Sequence, residues 1–222
     1  MAASREAPAS RAFLATGGAL AFAALLWLFP LFRIVPLHVP AGAGGAAAIG
    51  SFDARAAAAR IWAKEIPAAV RHAAELPALV PLLRRDPVAA RQAHAKQAGL
   101  GAAYYCVRGN GRVIARAGSH LQIALAGNNG AVVALRLGPV FGNTVRDGCG
   151  RLDLNAFPGL QEFNALSAEL NVLVEQRVLP ALREKAVIGA QVHFAGCAEA
   201  PETAAGPQEP LLVIVPLEAE VR

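Results

Sequence analysis

Cysteine, methionine and tyrosine are scarce in this chain of 222 residues, with three, one and two copies, and lysine occurs only at Lys64, Lys96 and Lys185. The cysteines, Cys106, Cys149 and Cys197, stand about 45 residues apart, so no C-x-x-C pair with zinc-ligand spacing exists. The five histidines, His38, His72, His94, His120 and His193, form no H-E-x-x-H pattern and read as isolated solvated side chains. No metal or other cofactor is expected. A G-x-S-x-G nucleophile elbow, a P-loop and a dinucleotide fingerprint are also missing, and Gly109-Asn110-Gly111 alone is a turn that cradles nothing. Aromatic residues make up only 6% of the chain, too few for the stack that single-stranded nucleic acid needs. The formal net charge of +5 is carried almost wholly by arginine without any basic block, which reads as a solvated surface. No nucleic-acid partner is expected.

What the chain does have is an uncharged run from Ala12 to Phe32, AFLATGGALAFAALLWLFPLF. Wound as a helix at about 1.5 Å per residue, it matches the ~30 Å hydrocarbon core of a bilayer. Arg5 and Arg11 precede it and only Arg33 follows closely, so the positive-inside bias leaves residues 1–11 in the cytoplasm and the bulk of the chain outside. Two readings of the segment stand: an uncleaved inner-membrane anchor, or a removable signal cut near Ala41-Gly42-Ala43. The length of the run and Pro40 beside the candidate site favour the anchor. Pro30 bends or ends the helix near the outer surface, which puts Trp27 in the interfacial belt.

Residues 33–50 are rich in proline, glycine and alanine and form a tether. Residues 51–98 read as helical. Ser51 offers an N-cap, Phe52, Ala56, Ala59, Trp62 and Ile66 follow helical steps, Pro67 and Pro77 break the segment, and Asp86-Pro87 starts another piece that ends before Gly99. From residue 99 to 222 the period changes to two. Tyr104 to Arg116 reads as one long strand bent at Gly109-Asn110-Gly111 or as a hairpin there, with Tyr104 and Tyr105 on opposite sides, so that at most one of them faces a ligand. Strands follow at Leu121–Leu125 and Ala131–Leu137, then an apolar-striped helix from Leu160 to Leu179 bounded by Pro180, then strands at Val187–Ala195 and Leu211–Leu217. The expected class is α+β. Five strands with a helix between the third and fourth is the element order of an OB-fold, a small barrel, and also of an open sheet carrying a helix on one face.

The segments Arg33-Ile34-Val35-Pro36-Leu37, Phe52-Asp53, Ile66-Pro67-Ala68, Tyr105-Cys106-Val107-Arg108-Gly109-Asn110-Gly111, Leu137-Gly138-Pro139-Val140, Thr144-Val145-Arg146-Asp147 and Gln161-Glu162-Phe163 with Leu170-Asn171 together resemble one family. It is domain of unknown function 2291, predicted periplasmic lipoproteins. The resemblance implies a membrane-tethered extracytoplasmic protein, often encoded beside sugar ABC transporters, with no established reaction. A lipoprotein needs a cysteine just after the apolar segment to carry the lipid, and none of the three lies there. Tethering then falls to the uncleaved helix.

The loop Gly138–Gly150, GPVFGNTVRDGCG, is the candidate site, since binding tends to live on loops held by a rigid scaffold. Arg146 offers a planar fork for a carboxylate, phosphate or sugar hydroxyl. The same guanidinium can instead pair with Asp147, Asp153 or Glu162 and pin the loop. Asn143 and Thr144 in the loop, with Asp147 and with Asn164 and Asn171 seven apart on the helix, complete the ligand-binding candidates, although helix asparagines more often bond loop carbonyls. In an oxidising compartment Cys149 and Cys197 have the freedom to form a disulfide, which leaves Cys106 as a small apolar side chain. The expected function is a non-catalytic binding or accessory module whose partners are the membrane and an ABC transporter or solute-binding protein. The alternative is an envelope hydrolase that uses Asp147, Asp153 and Glu162, a reading that requires two carboxylates about 5 to 10 Å apart in one pocket. A reporter active only in the cytosol, fused to Arg222, should stay inactive in cells; activity would place the chain on the wrong side of the membrane.

Overall fold

The computed structural model describes residues 52–97, 102–127, 130–150, 152, 157, 159–206 and 209–222. The apolar segment 12–32, the tether 33–50, Ser51, Gly99 and Asp153 lie outside them. Helix α1 (Ala54–Arg71) is capped by Asp53, whose carboxylate accepts from the Ala56 N–H at 2.9 Å. Pro67 does not break α1, as its lost hydrogen bond is outweighed by packing of Ile66 and Ala69, both buried, on either side of it. The two-residue strand β1 (Ala74–Glu75) leads into α2 (Leu76–Arg85), where Pro77 sits in the first turn and starts a helix. Asp86 caps α3 (Pro87–His94) as its sequence indicates, and β2 (Lys96–Gln97) follows.

Five strands then close a barrel: β3 (Ala103–Ala117), β4 (His120–Leu125), β5 (Val132–Arg136), β6 (Gln191–Glu199) and β7 (Val213–Val221). Around it, β3 pairs with β4, β4 with β5, β5 with β7 in parallel, β7 with β6, and β6 returns to β3. Of the two readings of residues 104–116, the continuous strand holds. Its first part faces β6 from Tyr104 to Arg112, and its last part faces β4 from Gly111 onward, with a bulge between Val113 and Ala115. Gly111 and Arg112 are therefore paired on both edges. Gly111 has no room for a side chain there: a Cβ would run into the Ala124 carbonyl and lie 2.6 Å from Ile123 Cγ2. On the edge that β4 leaves open, β1 pairs with Val107 and Arg108, and β2 with Ala103 and Tyr104. The helical segment thus covers an otherwise free strand edge.

Strands β6 and β7 both run further toward the C-terminus than the apolar periodicity indicates. Val187 and Ile188 are 64% and 71% exposed and belong to the turn before β6, where Gly189 takes φ 93°. Pairing with β3 carries β6 on to Glu199, and pairing with β6 carries β7 through the polar Glu218 and Glu220 to Val221. Between β5 and β6 lie α4 (Thr144–Gly148), α5 (Leu160–Arg177) and α6 (Leu179–Lys185). Pro180 does not end the helical region, because it falls in the first turn of α6. Phe163, Leu166, Leu170 and Val174 are buried on one face of α5 as its period indicates. Tyr104 and Tyr105 are both buried, which removes either ring from ligand contact. The apolar faces of α1 and α5 and the barrel interior belong to one core within Ile49–Arg222.

Gly111→Ala should lower unfolding stability by about 1–3 kcal/mol through overpacking against β4. Asp53→Ala should cost about 1 kcal/mol through loss of the cap. Denaturant titration of the full chain measures both, and a neutral Gly111→Ala would refute the double-pairing geometry.

Candidate functional site

The loop after β5 folds back on α5 and is held there by side chains of the helix. Val140 and Val145 are buried anchors, and Gly142, with φ 79°, turns the chain between them. Asn171 Nδ2 donates to the Gly142 carbonyl at 3.0 Å, and Glu175 Oε1 accepts from the Val140 N–H at 2.7 Å. Asn164, Asn171 and Glu175 stand seven and then four residues apart, so they present one face of α5 to the loop. Glu175 was not among the residues the sequence singled out; its spacing from the two asparagines was the available signal.

Of the two readings of Arg146, the internal one is what the structure shows: the side chain is turned inward and pairs with Asp147. Its Nε and Nη2 donate to the two carboxylate oxygens of Asp147 at 2.6 and 3.0 Å, and Nη1 donates to Asn164 Oδ1 at 3.2 Å and the Phe163 carbonyl at 3.4 Å. The guanidinium also lies 3.8 Å over the Phe163 ring, which continues through Phe157 to Phe52. Side-chain exposure is 7% for Arg146 and 10% for Asp147. The pair pins α4 to α5. Thr144 is the half-buried first residue of α4, and Asn143 precedes it with no side-chain capping bond.

What the loop and α5 enclose is a cleft of about 380 Å³ lined by Phe141, Asn143, Asn164, Ser167, Asn171 and Glu175, among others. Phe141 stands 77% exposed at its rim. Ser167 is 5% exposed, and its hydroxyl is buried with no hydrogen-bond partner. An orphaned hydroxyl of this kind costs about 1–3 kcal/mol unless something fills the cleft and meets it. Among the described residues only Glu175 brings a carboxylate here. Asp147 is committed to Arg146, and Glu162 is half-buried beside Gly159 at the start of α5. The described residues of the cleft therefore assemble no acid–base pair.

A larger groove of about 660 Å³ runs over the outer face of β3, β6 and β7, with Glu75, Arg108, Asn110, His193, Glu218 and Glu220 along it. It went unforeseen, because the polar ends of β6 and β7 carried no strand signal. Its charges answer one another: Arg108 pairs with Glu75 at 2.7 Å, and Arg222 with Glu220 at 2.9 Å. Among the described residues no buried orphan faces it, so the smaller cleft is the better-built site. The outer face of β4 and β5, where barrels of this type often bind ligands, carries His120, Gln122, Ala124, Val132, Ala134 and Arg136 and no Phe, Tyr or Trp. Burial, together with Arg136 opposite, holds the His120 pKa below its usual value.

Cys106, Cys149 and Cys197 are all free thiols. Cys149 and Cys197, the pair with the freedom to bridge, are hydrogen-bonded neighbours with both thiols free here. Gly148 packs so closely on Cys197 that a Cβ at Gly148 would lie 2.5 Å from Cys197 Cβ, and Cys197 reaches both other thiols.

A family described as predicted periplasmic lipoprotein, domain of unknown function 2291, matches residues 22–220. No curated protein gives a significant match. Among solved structures, an OB-fold protein from Thermotoga maritima is similar at 21% identity and a TM-score of 0.66, covering 77% of this chain and 99% of its own. That likeness concerns the fold, and it agrees with the closed barrel over the open-sheet alternative.

Arg146→Ala leaves the Asp147 carboxylate buried and unpaired, and should destabilise the chain by about 3 kcal/mol or more. Arg108→Ala, at an exposed pair, should cost less than about 1 kcal/mol. Denaturant midpoints of the two variants compare them, and equal effects would contradict the clamp.

Proposed function

The chain belongs to the family of predicted periplasmic lipoproteins designated domain of unknown function 2291, and from that membership we propose that it is a non-catalytic binding module of the cell envelope. The observation that carries the reading is the unpartnered Ser167 hydroxyl in a cleft that also holds the amides of Asn143, Asn164 and Asn171 and the Glu175 carboxylate, which is engaged by the Val140 N–H. Neutral donors and acceptors beside the exposed face of Phe141 suit an uncharged polyhydroxylated ligand, a sugar or polyol. Hydroxyls meet amides, and C–H faces lie on the ring. An anion is disfavoured, because Arg146 is consumed internally and Glu175 repels it.

The sugar-like ligand class and the family resemblance support an accessory role beside a sugar transporter. Anchoring by the apolar segment 12–32 accords with the position of the cysteines, all of which lie in the folded part of the chain. Among the described residues no helix is long and apolar enough to cross a membrane. Among the described residues this cleft does not bring together the paired carboxylates that the hydrolase reading needs.

The test is a thermal-shift screen of the full chain in mild detergent against neutral mono- and disaccharides and their anionic counterparts. A neutral sugar should raise the Tm, and Phe141→Ala and Ser167→Ala should each weaken its binding about tenfold while the fold is kept. A response to sugar phosphates alone, or to no sugar, would overturn the assignment.

A further inference from the structure

Three cysteines scattered along the chain converge on one point of the barrel wall. Cys106 on β3 is directly opposite Cys197 on β6. The Ala200 N–H donates to the Ala103 carbonyl and the Val113 N–H to the Ala190 carbonyl, so odd-numbered residues of β3 occupy hydrogen-bonded pairs with β6. Cys106 and Cys197 therefore form a non-hydrogen-bonded pair, whose side chains approach most closely. Cα atoms at such a pair are about 4.5 Å apart, inside the span of about 4.4 to 6.8 Å that a disulfide bridges. Cys149, at the C-terminus of α4, reaches Cys197 from the other side.

The three thiols differ in access. Cys149 and Cys197 are 1% and 0% exposed, whereas Cys106 is only partly buried, with its Sγ 3.5 Å from the Ala69 carbonyl. Lys96, on β2 beside Tyr104, brings a positive charge to the same neighbourhood. No group of His, Cys, Asp or Glu among the described residues is arranged to hold a metal ion, so the cluster reads as thiol chemistry.

We propose that Cys106 and Cys197 are a thiol–disulfide exchange pair, in which the Cys106 thiolate attacks small-molecule disulfides that reach it from outside, Cys197 resolves the adduct, and Cys149 stays reduced. The Cys106 thiolate displaces one thiolate from R–S–S–R to give a Cys106–S–S–R mixed disulfide. The Cys197 thiolate then attacks Cys106 Sγ and expels the second. Two protein thiols are oxidised, one external disulfide is reduced, and the two protein protons leave on two molecules of R–SH. Electrostatics order the steps in this sense. The hydrogen bond from Cys197, helped by Lys96, holds the Cys106 thiol below its ordinary pKa. The hydrogen bonds to Cys106 and Cys149, with full burial, push Cys197 well above its own. The outer thiol is thus the nucleophile, and the inner one keeps its proton until the adduct forms. The envelope compartment implied by the family is one where such a pair meets oxidants.

The full chain, purified reduced in mild detergent, is incubated with glutathione disulfide, alkylated and mapped by peptide mass spectrometry. The expected product is one internal disulfide joining Cys106 to Cys197, with Cys149 alone alkylated after unfolding. Cys149→Ser should leave that linkage intact, and Cys106→Ser should slow consumption of glutathione disulfide at least about tenfold. Linkage of Cys149 to Cys197, glutathione retained on Cys106 without transfer, or three free thiols in the wild-type chain would each overturn the proposal, whatever the variants do.

Discussion

Closure of the barrel rests on a short overlap in β3 where two barrel strands, β6 and β4, are paired with it at once, one on each edge. At Gly111 and Arg112, β3 is still paired with β6 and already paired with β4. A side chain at Gly111 would collide with the β4 backbone, so the overlap exists only because the residue has none. From that crossing the rest follows: β6 and β4 are committed to opposite sides of β3, and the remaining open edge must be covered. The helical segment supplies β1 and β2 for it. Although α-helical for most of its length, that segment is tied into the sheet.

The loop after β5 is organised by a different constraint, the cost of burying charge. A guanidinium and a carboxylate with so little exposure persist only when fully matched. Asp147 takes two of the bonds from Arg146, Asn164 and the Phe163 carbonyl take the others, and the Phe163 ring covers its face. With its cation spent on this clamp, the adjoining cleft is left with neutral amides, a single engaged carboxylate and an unmet hydroxyl. The clamp therefore sets the chemistry of the cleft by removing charge from it. It also sets position, since α4 brings Gly148 against Cys197 and Cys149 beside it. One short helix links the cleft to the thiol cluster.

Much of this was legible in the chain because local physics decided it. The Asp86 cap with Pro87, the buried stripe of α5 and the alternation in β4 and β5 all depend on residues a few positions apart, and all appear where the pattern puts them. The misplaced boundaries are those that a partner strand decides. Val187 and Ile188 look like strand residues but face solvent, while Glu218 and Glu220 look like loop residues but lie in β7, because the registers with β3 and β6 fix both. The covalent limits of proline mark Pro67 and Pro180 as breaks, yet packing carries α1 across the first and the second opens α6.

At the site, the sequence by itself determined which residue types were at hand: an arginine beside an aspartate in a glycine-rich loop, two asparagines on one helix face, and three cysteines too far apart to pair as metal ligands. Only the tertiary structure decided what they face. Arg146 turns inward, Ser167 and Glu175 join the cleft, and Cys106 meets Cys197. The physical reason is that a side chain's chemistry is local, whereas its burial and its opposite number are set by strand register and helix packing between segments tens of residues apart.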